Sequence, residues 1–456
     1  MTSKGQAQPF VTVAVRVRPF FPMEIQDTDA VCSVRMDRNK TVVIDTTDGC
    51  QTEKEFECDH AFWSHDGFDV LTNPEPDLDL PSGYFAPANR CGGASTTKGA
   101  ETPDDLPFGG GRAANFDNEY ASQRVVYEGF GREVLINALN GVDCHLLLVG
   151  QTGSGKGYSL YGKSLRGYEE YEGVNCGIVR QLCDELFKRK AEMEASGSTK
   201  VEVSLSMLEI DNEKINDVLG HAQNLKSKWI GGTDPTSYLR IEGLQTKVVD
   251  SFDQINRQID KGLACFRADW GKERLQITRL PLKHLVMTIS IKQLIQEGGG
   301  TREVCSDMNL VSLARFFMYA QNAQMPKQLM ENERIVKSYR ALDNVIAAWA
   351  TRAAHPTKRV FVPYRDSKLT QVLMKEHSTA TKSGAKKIFI LATISPGARH
   401  LEATVHTLRF ATRVKEHVTR VMKPAERNVV QEEARSTKWA TARTHAHAAS
   451  SLCIIS

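Results

Sequence analysis

The spacing of hydrophobic positions predicts alternating strands and helices. Strict alternation in Val-Thr-Val-Ala-Val-Arg-Val, residues Val11–Val17, predicts a strand that ends at Arg18-Pro19. Further strands are expected at 41–44, 55–62, 146–149, 201–210, 286–291, 308–313 and 388–394. Apolar positions at helical spacing predict helices at 125–135, 178–190, 334–350 and 402–417. This alternation favours an α/β domain whose central sheet is covered by helices on both faces.

Shifts in composition divide the chain into three parts. Residues 1–8 are polar and predicted to be loose, and 9–420 form the main domain. Within it, 73–118 is rich in Pro, Gly, Ser and Asp, which predicts a disordered insertion, and 220–237 is predicted to be a loop. Residues 421–456 form a short polar tail. We find no internal repeat and no sustained heptads, so the sequence encodes no coiled coil for self-dimerisation.

Composition and charge exclude several classes of protein. The chain is 41% hydrophobic and 25% charged, as in a soluble globular protein, and its formal net charge of +3 gives no reason to expect nucleic acid as a partner. The ten cysteines lack metal-type spacing, which favours reduced thiols in a cytoplasmic protein. No apolar run reaches transmembrane length.

A glycine-rich turn follows the apolar run 146–149 and is the clearest candidate site. A strand, a glycine-rich turn and a lysine together are typical of a P-loop, whose backbone N–H groups surround a polyphosphate. The alternative is a glycine-rich turn that binds no ligand. The candidate nucleotide-binding residues are Gly150, Gln151, Thr152, Gly153, Ser154, Gly155, Lys156 and Gly157. Gly157 stands where the pattern requires Ser or Thr, whose hydroxyl would bind Mg²⁺.

Several motifs, in chain order, resemble the kinesin motor domain, and the likeness covers roughly residues 10–420. The chain has the glycine-rich sequence GQTGSGK at 150–156 and VPYRDSKLT at 362–370. Other matching segments are Arg16-Val17-Arg18-Pro19, Leu208–Glu213, 393–396 and 407–411. The segments Phe62–Asp66 and Ala121–Gln123 are most similar to the vesicle-transport subclass.

The resemblance implies a mixed eight-stranded sheet flanked by helices, with ATP on one side and microtubules on the other. It places Arg16, Arg18 and Pro19 beside the adenine, although the two arginines could also be edge-strand charges. It places the polymer-binding face at Arg352, Lys358, Arg359, Tyr364, Arg365, Asp366 and Lys368. The alternative for this face is an ordinary solvated basic stretch. His284 is interpreted as a core or hydrogen-bonded surface histidine.

The sequence departs from the family pattern where catalysis takes place. Besides Gly157, the switch I segment is changed. When the family pattern is aligned with this sequence at His284, its serines and arginine fall within 277–283, which includes Leu282 and Lys283, and all of them are replaced. In switch II the family's Asp, Gly and Glu are replaced by Ser312, Arg315 and Phe317. The resemblance implies an ion pair between the switch I Arg and the switch II Glu. Both partners are apolar here, and a double replacement avoids stranding a buried charge, which costs about 3–5 kcal/mol.

The sequence is compatible with two functions. The first is a pseudo-motor, a microtubule-associated module on the cytoskeleton that binds ATP, without tight Mg²⁺, and hydrolyses it poorly or not at all. Phosphoryl transfer depends on positioned charge, and losing one such group typically costs on the order of 10²–10³ in rate. The alternative is an ATP-driven motor that uses substituted switch residues, with Arg315 supplying charge near the phosphates.

The last four residues, Cys-Ile-Ile-Ser, match a C-a-a-X box. This pattern predicts farnesylation at Cys453 and, through the lipid, membrane association. A chance match is the alternative, because four-residue motifs are common. A single lipid anchors weakly, so the basic residues near this tail would supply the second attraction.

Overall fold

The structure is a computed structural model. It describes residues 10–21, 24, 31–45, 51–65, 120–162, 176–230, 238–268, 282–297, 300–315, 326–355, 358–373 and 386–422. The segments predicted at 1–8 and 73–118, and nearly all of the tail, lie outside these residues. Within the described residues, no helix is long and apolar enough to cross a membrane.

The part of the chain that the structure describes forms fourteen strands. Their bounds are β1 Val11–Val17, β2 Val34–Asp37, β3 Lys40–Asp45, β4 Thr52–Glu57, β5 His60–Trp63, β6 Asp143–Val149, β7 Thr199–Asp211, β8 Lys214–Asp217, β9 Ser227–Ile230, β10 Tyr238–Ile241, β11 Lys247–Val249, β12 Lys283–Glu297, β13 Gly300–Ser312 and β14 Lys386–Ile394.

The helices follow the same order along the chain. They are α1 Gln123–Val126, α2 Arg132–Leu139, α3 Lys156–Tyr161, α4 Ile178–Ala195, α5 Phe252–Ala268, α6 Pro326–Ala354, α7 Lys368–Leu373 and α8, residues 401–422. A π-helical turn, Tyr127–Gly131, joins α1 to α2. Short 3₁₀ turns lie at Tyr364–Asp366 and Ala398–His400.

The central sheet has the strand order β11-β7-β12-β13-β6-β14-β1-β5, and β8 pairs with β7 as a ninth strand. Strands β13, β6, β14, β1 and β5 are parallel, whereas β11, β7, β12 and β13 pair antiparallel. The predicted mixed sheet of eight strands is therefore confirmed along its main path. A smaller sheet, β2-β3-β4, and the β9-β10 hairpin lie apart from it.

Each face of the central sheet forms its own core, because alternate residues of a strand point to opposite faces. Leu147 and Val149 of β6 join a core that contains buried residues of α6, α7 and α8. Leu146 and Leu148 join a second core with α1 to α5. The continuous apolar run of β6 is explained by this burial on both faces.

Most predicted elements are present, and the main differences concern two strands and two helices. The run 55–62 is two strands rather than one, because Cys58 and Asp59 turn the chain there and Asp59 accepts a hydrogen bond from the Val13 N–H. The predicted loop at 220–237 contains β9, which pairs with β10. Helix α6 begins at Pro326, before its predicted start. Helix α5 was not predicted, although Ile255, Ile259 and Leu263 are buried at helical spacing.

Candidate functional site

The glycine-rich turn lies between the end of β6 and the start of α3, at the carboxyl end of the parallel strands. Gly150 and Gly155 have φ angles of 150° and 99°, which L side chains rarely adopt. A Cβ on Gly150 would also lie 2.4 Å from the Thr393 carbonyl oxygen. The turn therefore requires glycine at both positions.

Hydrogen bonds to the end of β14 hold this loop in place. The hydroxyls of Ser154 and Thr393 are 2.8 Å apart, and the Gln151 amide donates to Ser395 Oγ at 2.8 Å. Thr152 is partly exposed and Gly153 is exposed. The loop is thus anchored on its sheet side and open on the other, as a phosphate-binding loop must be.

Lys156 points back into the loop. Its Nζ donates to the carbonyl oxygens of Gly150, at 2.5 Å, and Gln151, at 2.8 Å. Burial, followed by the positive charge of Arg315, lowers the pKa of Lys156 from 10.5 to about 7. The two cations therefore lie close enough to repel each other, so the site favours a bound anion.

The position of the missing hydroxyl is open. Gly157 is exposed, and a Cβ built on it would meet no heavy atom within 4 Å. The Cβ of a Ser or Thr would therefore meet no neighbour here. The hydroxyl is therefore missing because the residue is glycine, and not because neighbouring atoms exclude a Cβ.

Arg16 is fully engaged within the protein. Its guanidinium donates to Ser64 Oγ (3.0 Å), Gln123 Oε1 (2.7 Å) and Ser159 Oγ (3.0 Å), and the residue is 3% exposed. These bonds tie β1 to α1 and to α3, which follows the glycine-rich loop. The structure thus places Arg16 beneath the loop, where it supports α3.

Arg18 contacts the glycine-rich loop directly. It donates to the carbonyl oxygens of Gly153 (2.5 Å) and Pro19 (2.6 Å) and forms an ion pair with Glu24 at 2.7 Å. Although burial opposes ionisation of Glu24, hydrogen bonds from Arg18 and His400 hold the pKa of its carboxyl well below the ordinary value. The Phe21 ring stacks on the guanidinium at 3.8 Å. Arg18 therefore fixes the outer side of the loop.

The substituted switch II positions follow β13. Ser312 pairs with Leu148 of β6, so it lies beside the strand that leads into the glycine-rich loop. Arg315 is half-buried, and burial lowers the pKa of its guanidinium. Ser312 has no carboxylate, whereas Arg315 adds positive charge near Lys156. Phe317 lies outside the described residues.

The substituted switch I positions lie at the start of β12. Leu282 is buried in the core that includes α6. Lys283 forms a buried ion pair with Glu209 at 3.0 Å, and the two side chains are 8% and 9% exposed. Lys283 therefore fixes the start of β12 to β7, and its ammonium group is already paired within the protein.

The residues present fit a polyphosphate but do not fit tightly bound Mg²⁺. The loop N–H groups, Lys156 and Arg315 match the negative charge and acceptor oxygens of a nucleotide. Mg²⁺ prefers hydroxyl and carboxylate oxygens, which Gly157 and Ser312 do not supply at the expected positions. Among the described residues, no group of three His, Cys, Asp or Glu could hold a metal ion.

The predicted polymer-binding segment presents four exposed cations and one exposed aromatic ring. Arg352, Lys358, Arg359 and Arg365 are exposed, as is Asp366, and Phe361 is 85% exposed. The structure gives the remaining two predicted residues a supporting position. Tyr364 is half-buried and its carbonyl accepts from Thr370 Oγ1, whereas Lys368 Nζ donates to Ser227 Oγ and Gln371 Oε1.

A residue that the sequence analysis did not assign holds this segment in place. Glu213 follows β7, and its Oε2 accepts from the Lys368 backbone N–H at 2.7 Å. Its Oε1 accepts from the Ser338 hydroxyl of α6 at 3.2 Å. Glu213 therefore caps α7 and connects it to α6. Its φ of 60°, unusual for a residue other than glycine, was not visible in the sequence.

His284 is a core histidine, one of the two interpretations that the sequence left open. It is 1% exposed, and burial lowers its pKa to about 3. Its Nδ1 accepts a hydrogen bond from the Ala314 N–H at 3.1 Å. The histidine thus joins β12 to the segment after β13, next to Arg315.

Comparison with known proteins identifies the family. A family model described as the kinesin motor domain matches residues 110–417. Kinesin-like protein KIF28 of Rattus norvegicus is 30% identical over 413 residues, 89% of this chain and 33% of the relative. Kinesin-like protein KIF13A of Homo sapiens is 30% identical over 89% of this chain and 19% of the relative. The chain belongs to the kinesin motor domain family.

Solved structures agree with this assignment. A structure described as KIF14 with ADP in complex with a microtubule has a TM-score of 0.62 and 27% identity, over 90% of this chain and 95% of that one. A KIF14 dimer described with AMP-PNP and a microtubule has a TM-score of 0.61. The chain spans about a third of the length of KIF28 and about a fifth of KIF13A. The predicted likeness to the vesicle-transport subclass fits KIF13A and Kinesin-like protein KIF1C.

Proposed function

We propose that this chain is a microtubule-binding module of the cytoskeleton that binds ATP or ADP and hydrolyses ATP poorly or not at all. The observation that supports it most is a contrast between the two sides of the domain. The VPYRDSKLT segment is kept and braced by Glu213, whereas Gly157, Ser312 and Arg315 stand where a hydroxyl, a carboxylate and a glycine are expected.

Binding to tubulin needs exposed positive charge on a rigid element, because the polymer surface is acidic. Arg352, Lys358, Arg359 and Arg365 meet the first condition. The hydrogen bonds of Glu213 and Lys368 meet the second. This proposal also draws on the microtubule complexes described for KIF14.

Nucleotide binding would use the loop N–H groups, Lys156 and Arg315. Arg315 supplies a fixed positive charge where the loop has no hydroxyl for Mg²⁺. We therefore propose that the nucleotide binds without tightly held Mg²⁺. Hydrolysis is expected to be slow, since phosphoryl transfer depends on charge placed around the reacting phosphate.

The alternative is an active motor with rewired switches. The intact loop Gly150–Lys156 and the position of Arg315 near Lys156 support it, because a guanidinium can stabilise phosphate charge. The two candidates share binding and differ in turnover. Phosphate release in the presence of microtubules therefore separates them.

Two binding measurements test the proposal. Cosedimentation with microtubules should show binding that weakens as ionic strength rises, because exposed charges are screened by salt. Fluorescent ADP and ATP analogues should bind with similar affinity in Mg²⁺ and in EDTA. No cosedimentation at low salt would contradict polymer binding, and a complete loss of nucleotide in EDTA would contradict metal-independent binding.

A further inference from the structure

Phe21 places an exposed aromatic ring beside the glycine-rich loop. The residue is 42% exposed, whereas the preceding Phe20 is buried and packs edge-on against His65, with ring centroids 4.9 Å apart. A Cβ built on Gly153 would lie 3.5 Å from Phe21 Cε2, so the ring reaches the loop itself. Because Gly153 is also exposed, the ring borders the loop on the side that is open to solvent.

Contacts of its backbone and of its ring place Phe21 in this position. The Phe21 N–H donates to Glu24 Oε2 at 2.7 Å, and the Phe21 carbonyl oxygen accepts from the Glu24 N–H at 2.9 Å. The ring lies over the Arg18 guanidinium, whose central carbon is 3.8 Å from the ring centroid. Arg18 in turn pairs with Glu24 and donates to the Gly153 carbonyl oxygen. The groups that position the ring therefore also contact the loop.

The two faces of the Phe21 ring have different surroundings. The Arg18 guanidinium covers one face, an arrangement in which the cation is attracted to the π-electrons of the ring. Since this face is covered, the exposed part of the side chain consists of the ring edge and the second face. Aromatic rings pair favourably with other flat aromatic groups in offset stacks. The second face of Phe21 is thus available to a planar ligand.

A nucleotide bound at the loop would carry such a planar group. On the sheet side, hydrogen bonds of Ser154 with Thr393 and of Gln151 with Ser395 join the loop to the end of β14. A base attached to phosphates in the loop must therefore extend along the open side, where Phe21 lies. Aromatic side chains bind bases by stacking, which contributes affinity without any charge on the ligand.

We propose that Phe21 stacks on the adenine of bound ATP or ADP and is a binding residue for the base. This inference rests on the proposed function, since it presumes that the chain binds a nucleotide. The loop and Lys156 then bind the phosphates through charge, whereas Phe21 binds the base through its apolar face. The contribution of the base needs neither Mg²⁺ nor the substituted switch residues, so it supports nucleotide binding where metal is held weakly.

The first test compares ADP with pyrophosphate, which has the same number of phosphates and no base. The unmodified chain should bind ADP more tightly than pyrophosphate. In Phe21→Ala the affinity for ADP should fall by roughly 5- to 100-fold, the range for loss of one base stack. Affinity for pyrophosphate should stay within about twofold, because the phosphate contacts are kept. Both constants are measured in EDTA by titration calorimetry.

A second variant reports on the contact directly. Phe21→Trp keeps a flat aromatic ring and should bind ADP at least as tightly as the unmodified chain. Stacking of a base on the introduced indole should lower its fluorescence, so ADP should quench this variant and pyrophosphate should not. The chain contains five tryptophans, and the unmodified chain with each ligand therefore gives the baseline.

Ile136→Ala is the matched control. Ile136 is 43% exposed, close to the value for Phe21, but it lies on α2, which precedes the amino end of β6, whereas the loop follows the carboxyl end. Removing this exposed apolar side chain should leave the affinities for ADP and for pyrophosphate unchanged. A loss in Phe21→Ala that Ile136→Ala does not share is then specific to the position of Phe21.

The outcomes separate this inference from the proposed function. ADP affinity that is unchanged in Phe21→Ala would overturn base stacking. Equal losses for ADP and pyrophosphate would overturn it too, since Phe21 would then act only through Arg18 and the loop. Pyrophosphate that binds the unmodified chain as tightly as ADP would likewise contradict any contribution from the base. By contrast, failure of the unmodified chain to bind either ligand would overturn the proposed function instead.

Discussion

The glycine-rich loop and the VPYRDSKLT segment are both held firmly by hydrogen bonds, but they differ in the side chains they present. The loop is anchored through Ser154 and Arg18, yet Gly157 and Ser312 supply neither a hydroxyl at the loop end nor a carboxylate. The segment is anchored through Glu213, and its Arg365 is exposed together with Arg352, Lys358 and Arg359, which precede it. The proposed function rests on this difference: the exposed cations are present, whereas the hydroxyl and the carboxylate expected beside the phosphates are absent.

Reversing charge on the polymer-binding segment should produce the largest effect. The triple variant Arg352→Glu, Lys358→Glu and Arg359→Glu should weaken microtubule binding by at least about 100-fold, because like charges facing each other cost several kcal/mol. These side chains are exposed, so stability should change little. Cosedimentation at low salt measures the effect.

A control variant reverses two charges at the far end of the central sheet. Lys200 and Arg302 are exposed and lie near the opposite end of β7 from Glu213. The double variant Lys200→Glu and Arg302→Glu should bind microtubules nearly as well as the unmodified chain. Equal losses in both variants would show that net charge, and not this segment, determines binding.

Removing Arg315 should weaken nucleotide binding by roughly 10- to 100-fold, the range for a hydrogen bond to a charged group. Arg315→Gly deletes the guanidinium, whereas Arg315→Lys keeps the charge and should lose less. Part of the loss is offset, since Lys156 is then more easily protonated. Binding of fluorescent ADP in EDTA measures the loss of nucleotide affinity. Unchanged affinity in Arg315→Gly would rule out a phosphate contact for Arg315.

Restoring the loop hydroxyl should make nucleotide binding respond to metal. Gly157→Thr places its side chain in open space, so the protein should fold as before. Nucleotide affinity in Mg²⁺ should then exceed that in EDTA by at least about tenfold, a typical effect of a group that supports a metal. Gly157→Ala is the control and should show no metal response. A variant that misfolds would contradict the open space at Gly157.

The smallest expected effect is on pH dependence. With a pKa of about 7, Lys156 is mostly neutral at pH 8 before nucleotide binds, and the phosphates favour its charged form. Nucleotide binding at pH 8 should therefore take up close to one proton, and affinity should fall by about fivefold from pH 7 to pH 8. Titration calorimetry in buffers of different ionisation enthalpy measures the uptake. The Lys156→Arg variant should bind nucleotide without taking up a proton. An unmodified chain that takes up no proton would contradict the lowered pKa of Lys156.

Much of the fold was predictable because the hydrophobic patterns are strong. The seven residues of β1 were predicted with the bounds that the structure shows. Helix α5 was missed even though its buried positions recur at helical spacing. Strands β9 and β10 were missed because they are short and lie apart from the central sheet. These two strands have four residues each and pair with each other, so the local pattern gives only a weak signal.

The candidate site was predictable in its residues but not in its contacts. The glycine-rich loop and its substitution at Gly157 could be recognised from spacing alone. The hydrogen bonds that engage Arg16 and Lys368 within the protein depend on residues more than a hundred positions away. The hydrogen bonds of Ala314 with His284 and with Tyr339 likewise join three separate elements. These roles follow from tertiary geometry.

Microtubule-stimulated phosphate release tests the central claim most directly. The unmodified chain and a Lys156→Ala control are compared at rising microtubule concentration, under conditions in which cosedimentation shows the unmodified chain to be bound. We predict phosphate release no faster than in the control, because Gly157, Ser312 and Arg315 leave the reacting phosphate without its usual groups. Release that rises with microtubule concentration and disappears in Lys156→Ala would contradict this account and establish a working motor.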